Sequence, residues 1–112
     1  MADTIFTKII NKQIPAKIAY EDAEYVVIHD IKPQAPVHLL VIPRREIPSL
    51  NDLDEADKAL VGGMFLLAKK LMGQMGHTDY RCVFNCGEKA GQSVWHLHLH
   101  ILTGRKFTWP PG

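Results

Sequence analysis

Three histidines, His96, His98 and His100, recur at every second position in Val94-Trp95-His96-Leu97-His98-Leu99-His100-Ile101-Leu102. A period of two is that of a β-strand. The imidazoles then share one face with Val94 and Leu102, while Trp95, Leu97, Leu99 and Ile101 form an apolar stripe on the other. One histidine on such a face is ordinarily a satisfied structural residue; three in register point to chemistry. Two chemistries suit the row. Imidazoles at i and i+2 can share a metal ion, but the outer pair is about 13 Å apart at a rise of ~3.3 Å per residue. An ion would take two of them and a third ligand from elsewhere. Alternatively, neutral imidazole attacks phosphorus while its neighbours balance phosphate charge. Spacing alone leaves both open.

The elements that must position this row are short. Residues 4–11 read as a helix with Ile5, Phe6, Ile9 and Ile10 on one side and Asp3 or Thr4 as N-cap. Strands are expected over 17–20 and 25–31, joined as a hairpin by Glu21-Asp22-Ala23-Glu24, and over 37–42, closed by Pro43. In the third strand His38 shares a face with Leu40 and Ile42. Asp52 and Glu55 have capping-box character. They precede a long helix carrying Leu60, Met64, Leu67, Leu71 and Met75 at helical spacing, which Gly76 stops. Gly62-Gly63 inside it suggests close packing against a neighbour. A fourth strand over 80–86 and the loop 87–93 lead into the histidine strand. The result is an α+β fold, an antiparallel sheet of about five strands with both helices on one side.

At 112 residues the chain is a single domain, 1–112, with an irregular tail over 105–112 in which Phe107 and Trp109 need cover. Apolar residues are 46%, charged residues 22% and the formal net charge is +1, which argues against a general nucleic-acid binder. Met64–Ala68 is too short to span a bilayer, so no membrane partner is expected. The opening Met1-Ala2-Asp3-Thr4 lacks the pattern of a secretory leader, and Cys82 and Cys86 are placed as free thiols. A cytoplasmic location is expected.

Gly91-Gln92-Ser93-Val94-Trp95-His96-Leu97-His98-Leu99-His100-Ile101-Leu102 closely resembles the signature of the histidine triad family, His-φ-His-φ-His-φ-φ with φ apolar. The similarity extends to Ile14-Pro15-Ala16-Lys17-Ile18, His29-Asp30-Ile31, Pro33-Gln34-Ala35-Pro36, Val41-Ile42-Pro43 and Trp109-Pro110-Pro111-Gly112, which look like the nucleotide-binding Hint branch. The resemblance implies a homodimer with subunit sheets joined into one, and a purine nucleotide site. The implied reaction is hydrolysis of the P–N bond in adenosine or guanosine 5′-phosphoramidates and aminoacyl-adenylate-like substrates.

By that resemblance His98 is the nucleophile that becomes nucleotidylated, with His96, His100, Ser93 and His38 around it. A leaving nitrogen needs a proton, and His100 or Ser93 would supply it. Asp30 matches the ribose acceptor, and Ile31, Asn85, Gly91, Gln92 and Ser93 match other nucleotide contacts. Ile5, Phe6, Ile9, Ile28, Ile31 and Leu40 match the base pocket, and Trp109 belongs to a tail that reaches the partner's site. No metal or cofactor is called for. His29 should face away from Asp30, and His77 should be exposed. Cys86 stands where polar residues are common in the branch and Ala90 where glycine is frequent. Three other functions compete: a dinucleoside polyphosphate hydrolase, a nucleotide-binding regulator, and a zinc protein using Cys82. The absence of a CxxC pair weighs against the last.

Overall fold

The computed structural model describes residues 3–112, so the leader reading at Met1 and Ala2 falls outside it. Its elements are α1 (Ile5–Ile10), β1 (Ile18–Glu21), β2 (Tyr25–His29), β3 (Val37–Pro43), α2 (Lys58–Gln74), β4 (Tyr80–Val83) and β5 (Leu99–Thr103). One five-stranded antiparallel sheet runs in the order β1-β2-β3-β5-β4.

Local chemistry sets the boundaries. Thr4, rather than Asp3, caps α1 by accepting the N–H of Thr7. The β1–β2 hairpin closes on Asp22, whose Oδ1 accepts the N–H groups of Glu24 and Tyr25. Before α2, the capping box is formed by Asp54 and Asp57 instead of Asp52 and Glu55; Asp52 is held by the Ser49 hydroxyl. Gly76 ends the helix region at φ +82°. Of the glycine pair, Gly63 explains itself: a Cβ there would collide with the hydroxyl of Tyr25, which donates to the Leu60 carbonyl at 2.7 Å. Gly62 faces open space.

The sheet is covered on both faces, not one. Val27, Leu39, Val41, Leu99 and Ile101 pack with Met64, Leu67, Ala68, Leu71 and Met72 of α2. The alternate residues Val26, Ile28, Leu40 and Ile42 pack with Phe6 and Ile9 of α1. A six-residue helix covers only part of its face, and the uncovered part becomes the site. No helix among the described residues is long and apolar enough to cross a membrane.

The histidine strand is shorter than its alternation suggests. Residues 94–96 bend and pairing begins only at Leu99. Trp95 leaves the apolar stripe and is 47% exposed, while Leu97, Leu99 and Ile101 stay buried. Alternation reads side-chain character and cannot see that the chain leaves the ladder. β2 similarly stops at His29, which puts Asp30 and Ile31 in the connection, and β4 stops at Val83.

Candidate active site

Between α1, the end of β2, the middle of β3 and the segment entering β5 lies a cavity of about 360 Å³, within the usual size of small-molecule sites. Ile5, Phe6, Ile9, Ile28, Ile31 and Leu40 line its apolar part, joined by Ile14, Ala16 and Val94, which sequence reasoning did not assign. Asp30, Lys32, Asn85, Gly91, Ser93, His98 and His100 line its polar part. His29, expected to face away, borders it too. One end is thus suited to a flat apolar group and the other to charge and hydroxyls.

His98 stands at the junction. Its Nδ1 lies 2.7 Å from the carbonyl oxygen of His96. A carbonyl only accepts, so Nδ1 carries the proton and the neutral ring presents Nε2 as an unprotonated nitrogen. The edge of Phe6 meets this ring at 4.8 Å between centroids and 79° between planes, which restricts its rotation. Burial pushes the His98 pKa down; the His96 carbonyl opposes this, the His96 ring adds to it, and Asp30 opposes it. The ring is therefore neutral at pH 7, as a nucleophile requires.

His96 does not line the cavity. It is 1% exposed, and its Nε2 donates to the Pro43 carbonyl at 2.7 Å. This side chain ties the bent segment to the end of β3, and burial lowers its pKa against the pull of the Pro43 carbonyl and Glu46. Its own carbonyl then orients His98.

His100 and His38 form a second hydrogen-bonded unit. Leu40 pairs opposite His100 across β3 and β5, so His38 is the same-face diagonal neighbour. His38 Nε2 and His100 Nδ1 are 2.9 Å apart. The Gln34 N–H points at His38 Nδ1 (3.0 Å), so His38 carries its proton on Nε2 and donates it to His100 Nδ1. The neutral His100 must then hold its proton on Nε2, as a donor on the cavity wall. Burial, with His98 and His38 adding to it and Asp30 opposing, lowers the His100 pKa to about 4. Burial lowers that of His38 as well, against Asp30.

Asp30 Oδ1 accepts the Lys32 N–H, and Oδ2 lies 3.5 Å from His38 Nε2. Nitrogen and oxygen atoms of Asp30, His38 and His100 all fall within 4.8 Å of one another, close enough to invite a metal reading. The ring nitrogens are the objection. They face each other through a proton at 2.9 Å, whereas two imidazoles on one zinc sit roughly 3.3 Å apart with both lone pairs turned to the ion. The arrangement fits a proton link better than an ion.

The loop 87–93 is built around Gln92. Its Oε1 accepts the Gly87 N–H, its Nε2 donates to the Pro48 and Val94 carbonyls, and its own N–H goes to the Gly87 carbonyl. Expected to touch the nucleotide, Gln92 is instead 5% exposed and holds the loop's shape. Gly91 needs its φ of +98° to turn this loop, and Ser93 is left exposed at the cavity. Trp109 lies far out in the tail, 81% exposed. Cys82 and Cys86 are free and half-buried.

This fold is shared with known proteins. The model of the family described as "Scavenger mRNA decapping enzyme C-term binding" matches residues 3–108. An uncharacterised HIT-like protein of Synechocystis sp. is 50% identical over 111 residues, covering 98% of this chain and 97% of that one. The structure of a HIT family hydrolase from Legionella pneumophila superposes with a TM-score of 0.95 at 44% identity, covering 98% of this chain and 100% of the other. A histidine triad protein from Clostridium difficile gives 0.91 at 37%, covering 96% of each. The chain belongs to the histidine triad family.

Proposed function

We propose that this protein is a purine nucleoside phosphoramidase of the Hint type, a hydrolase that forms a nucleotidyl-histidine intermediate. The observation that carries this reading is the bare Nε2 of His98 on a cavity with an apolar end and an acid end. In this reading the purine lies among Ile5, Phe6, Ile9, Ile28, Ile31 and Leu40. The sugar hydroxyls donate to Asp30. The α-phosphate sits by Gly91, Ser93, Asn85 and His100, whose Nε2–H stabilises charge developing on a phosphoryl oxygen. His98 Nε2 bonds to phosphorus as the P–N bond breaks and the amine leaves. Water then attacks phosphorus, frees His98 and releases the nucleoside 5′-monophosphate. The bound geometry replaces a bimolecular encounter by an oriented one.

The same reading makes the protein a homodimer. β4 is an edge strand of the sheet, and α2 exposes Phe65 and Leu66, the Phe65 ring meeting Phe84 just past β4 edge to face at 5.8 Å. An open strand edge beside an apolar helix face suits a second copy, and in this reading the exposed Trp109 of the tail meets that copy.

Offering adenosine 5′-phosphoramidate and diadenosine tetraphosphate side by side tests the proposal. Faster release of AMP from the phosphoramidate is expected. Faster cleavage of the polyphosphate, or no cleavage of either, overturns it.

A further inference from the structure

The proton needed by the leaving amine raises a difficulty in the observed network. In its neutral form the His38–His100 pair holds one proton between the rings and one on His100 Nε2. If His100 Nε2 gave up its proton from that state, an imidazolate would be left behind. The pair, neutral in the free protein, must therefore take up a further proton from solvent once the anionic substrate is bound and carry it during the chemical step. Yet a further proton puts N–H groups on both His38 Nε2 and His100 Nδ1, facing each other, and the Gln34 N–H keeps His38 Nδ1 from taking it instead.

Only an acceptor beside both nitrogens relieves that clash. The charged and titratable groups around the pair are His98 on the segment entering β5, Asp30 and Lys32 on the β2–β3 connection, and Arg105 beyond β5. Arg105 is engaged with the Gln34 and Lys106 carbonyls. Lys32 meets Asp30 through its backbone N–H alone. Of these groups Asp30 is the anionic acceptor. Its backbone N–H is pinned to the His38 carbonyl at 2.9 Å, Lys32 fixes its Oδ1, and Oδ2 stands 3.5 Å from His38 Nε2, with a carboxylate oxygen within 4.8 Å of a His100 ring nitrogen.

We propose that Asp30, besides meeting the sugar, is a positioning residue for the chemical step: its Oδ2 accepts the His38 Nε2–H and so lets the His38–His100 pair carry the proton that His100 gives to the leaving amine. This rests on the phosphoramidase reading above. In the first step the His98 Nε2–phosphorus bond forms, the P–N bond breaks, and the His100 Nε2 proton passes to the departing nitrogen. His100 is then neutral, with its proton on Nδ1 and a bare Nε2. In the second step that Nε2 takes a proton from the attacking water as the His98–phosphorus bond breaks, restoring the starting state.

The test is the pH dependence of single-turnover nucleotidylation for native protein and Asp30→Asn. The substrates are adenosine 5′-phosphoramidate, its 2′,3′-dideoxy analogue, and adenosine 5′-(p-nitrophenyl phosphate), whose phenolate leaves without a proton. With the amine substrate, the loss of rate at high pH should move roughly 1–3 pH units lower in the variant, the effect of one nearby opposite charge. The variant should then be at least about tenfold more impaired on the phosphoramidate than on the phenyl ester at alkaline pH. Native protein with the dideoxy analogue should bind more weakly yet keep the native pH limb, an arm that needs no folded variant. Equal impairment on both leaving groups with an unmoved limb makes Asp30 a sugar contact only and overturns the proposal. No adduct on native protein with any substrate overturns the phosphoramidase reading itself, and this proposal with it.

Discussion

The His98 Nδ1–H and the His96 carbonyl oxygen are 2.7 Å apart, so one residue of the triad sets the tautomer of the next through the backbone. The outer two histidines do not flank His98 symmetrically. His96 works from the core, through its hold on Pro43, and His100 works from the cavity, through its link to His38. Their equal spacing in sequence hides two different jobs.

Replacing His96 by alanine should therefore cost both stability and rate. It removes a buried ring and leaves the Pro43 carbonyl without its donor, a loss of about 1–3 kcal/mol for that group alone. It also frees the bent segment whose carbonyl orients His98. Urea unfolding should show the destabilisation, and single-turnover nucleotidylation should slow by more than about tenfold, the cost of a small misplacement at the reacting atom. Native rates with lowered stability would confine His96 to a packing role.

The buried imidazoles predict acid sensitivity with a defined window. Burial lowers the proton affinity of His38, His96, His98 and His100 in the folded chain. Above the ordinary value of 6.5 both states leave them neutral, and they contribute no pH dependence. As pH falls below 6.5, the unfolded chain binds protons that the folded one refuses. Stability then drops toward the folded His100 value of about 4, at up to about 1.4 kcal/mol per pH unit for each such group. Denaturant titrations at pH 7, 6 and 5 check this, and His100→Gln should flatten the slope. A midpoint constant across that range would contradict the assignment of neutral rings.

Phe6 does two things, filling the pocket floor and bracing His98 edge-on at 4.8 Å. Phe6→Leu keeps most of the volume and removes the ring contact, so the fold should lose roughly 1 kcal/mol. In kinetics, kcat for nucleotidyl transfer should fall as the His98 ring gains freedom, and KM should rise as the base loses a stacking surface. A change in KM alone would show that Phe6 contacts the base and leaves His98 unbraced.

The tail is fastened lightly. Arg81 and Arg105 lie over the Phe107 ring, at 5.1 and 4.2 Å, and Arg81 donates to the Thr108 carbonyl. Exposed cation–π contacts contribute about 0.5–1 kcal/mol each. Removing residues 107–112 should thus lower the melting temperature little while changing the relative rates on phosphoramidates with different amines. Identical relative rates would detach the tail from substrate choice.

Much of this was legible because character and position coincide along regular strands. The alternation His98, Leu99, His100, Ile101 places imidazoles and core on opposite faces, and His38 with Leu40 falls on the imidazole side as its spacing requires. Legibility failed where backbone departs from the ladder. Trp95 is apolar and in phase, yet the bend at 94–96 turns it out. Gln92 is polar and beside Ser93, yet its three side-chain hydrogen bonds hold the loop, which only tertiary contact with Pro48 reveals. The placement of α1 and α2 on opposite faces was hidden because a buried strand such as Tyr25–Ile28 reads as a continuous apolar run on both sides.

The proposed mechanism requires His98 Nε2 to be the atom that bonds to phosphorus. Rapid quenching of native protein with adenosine 5′-phosphoramidate, followed by intact mass and peptide mapping, reads that directly. One acid-labile adenylyl group on His98, absent from His98→Ala, is the predicted result. Turnover without any adduct, or an adduct mapped to His96 or His100, would contradict it.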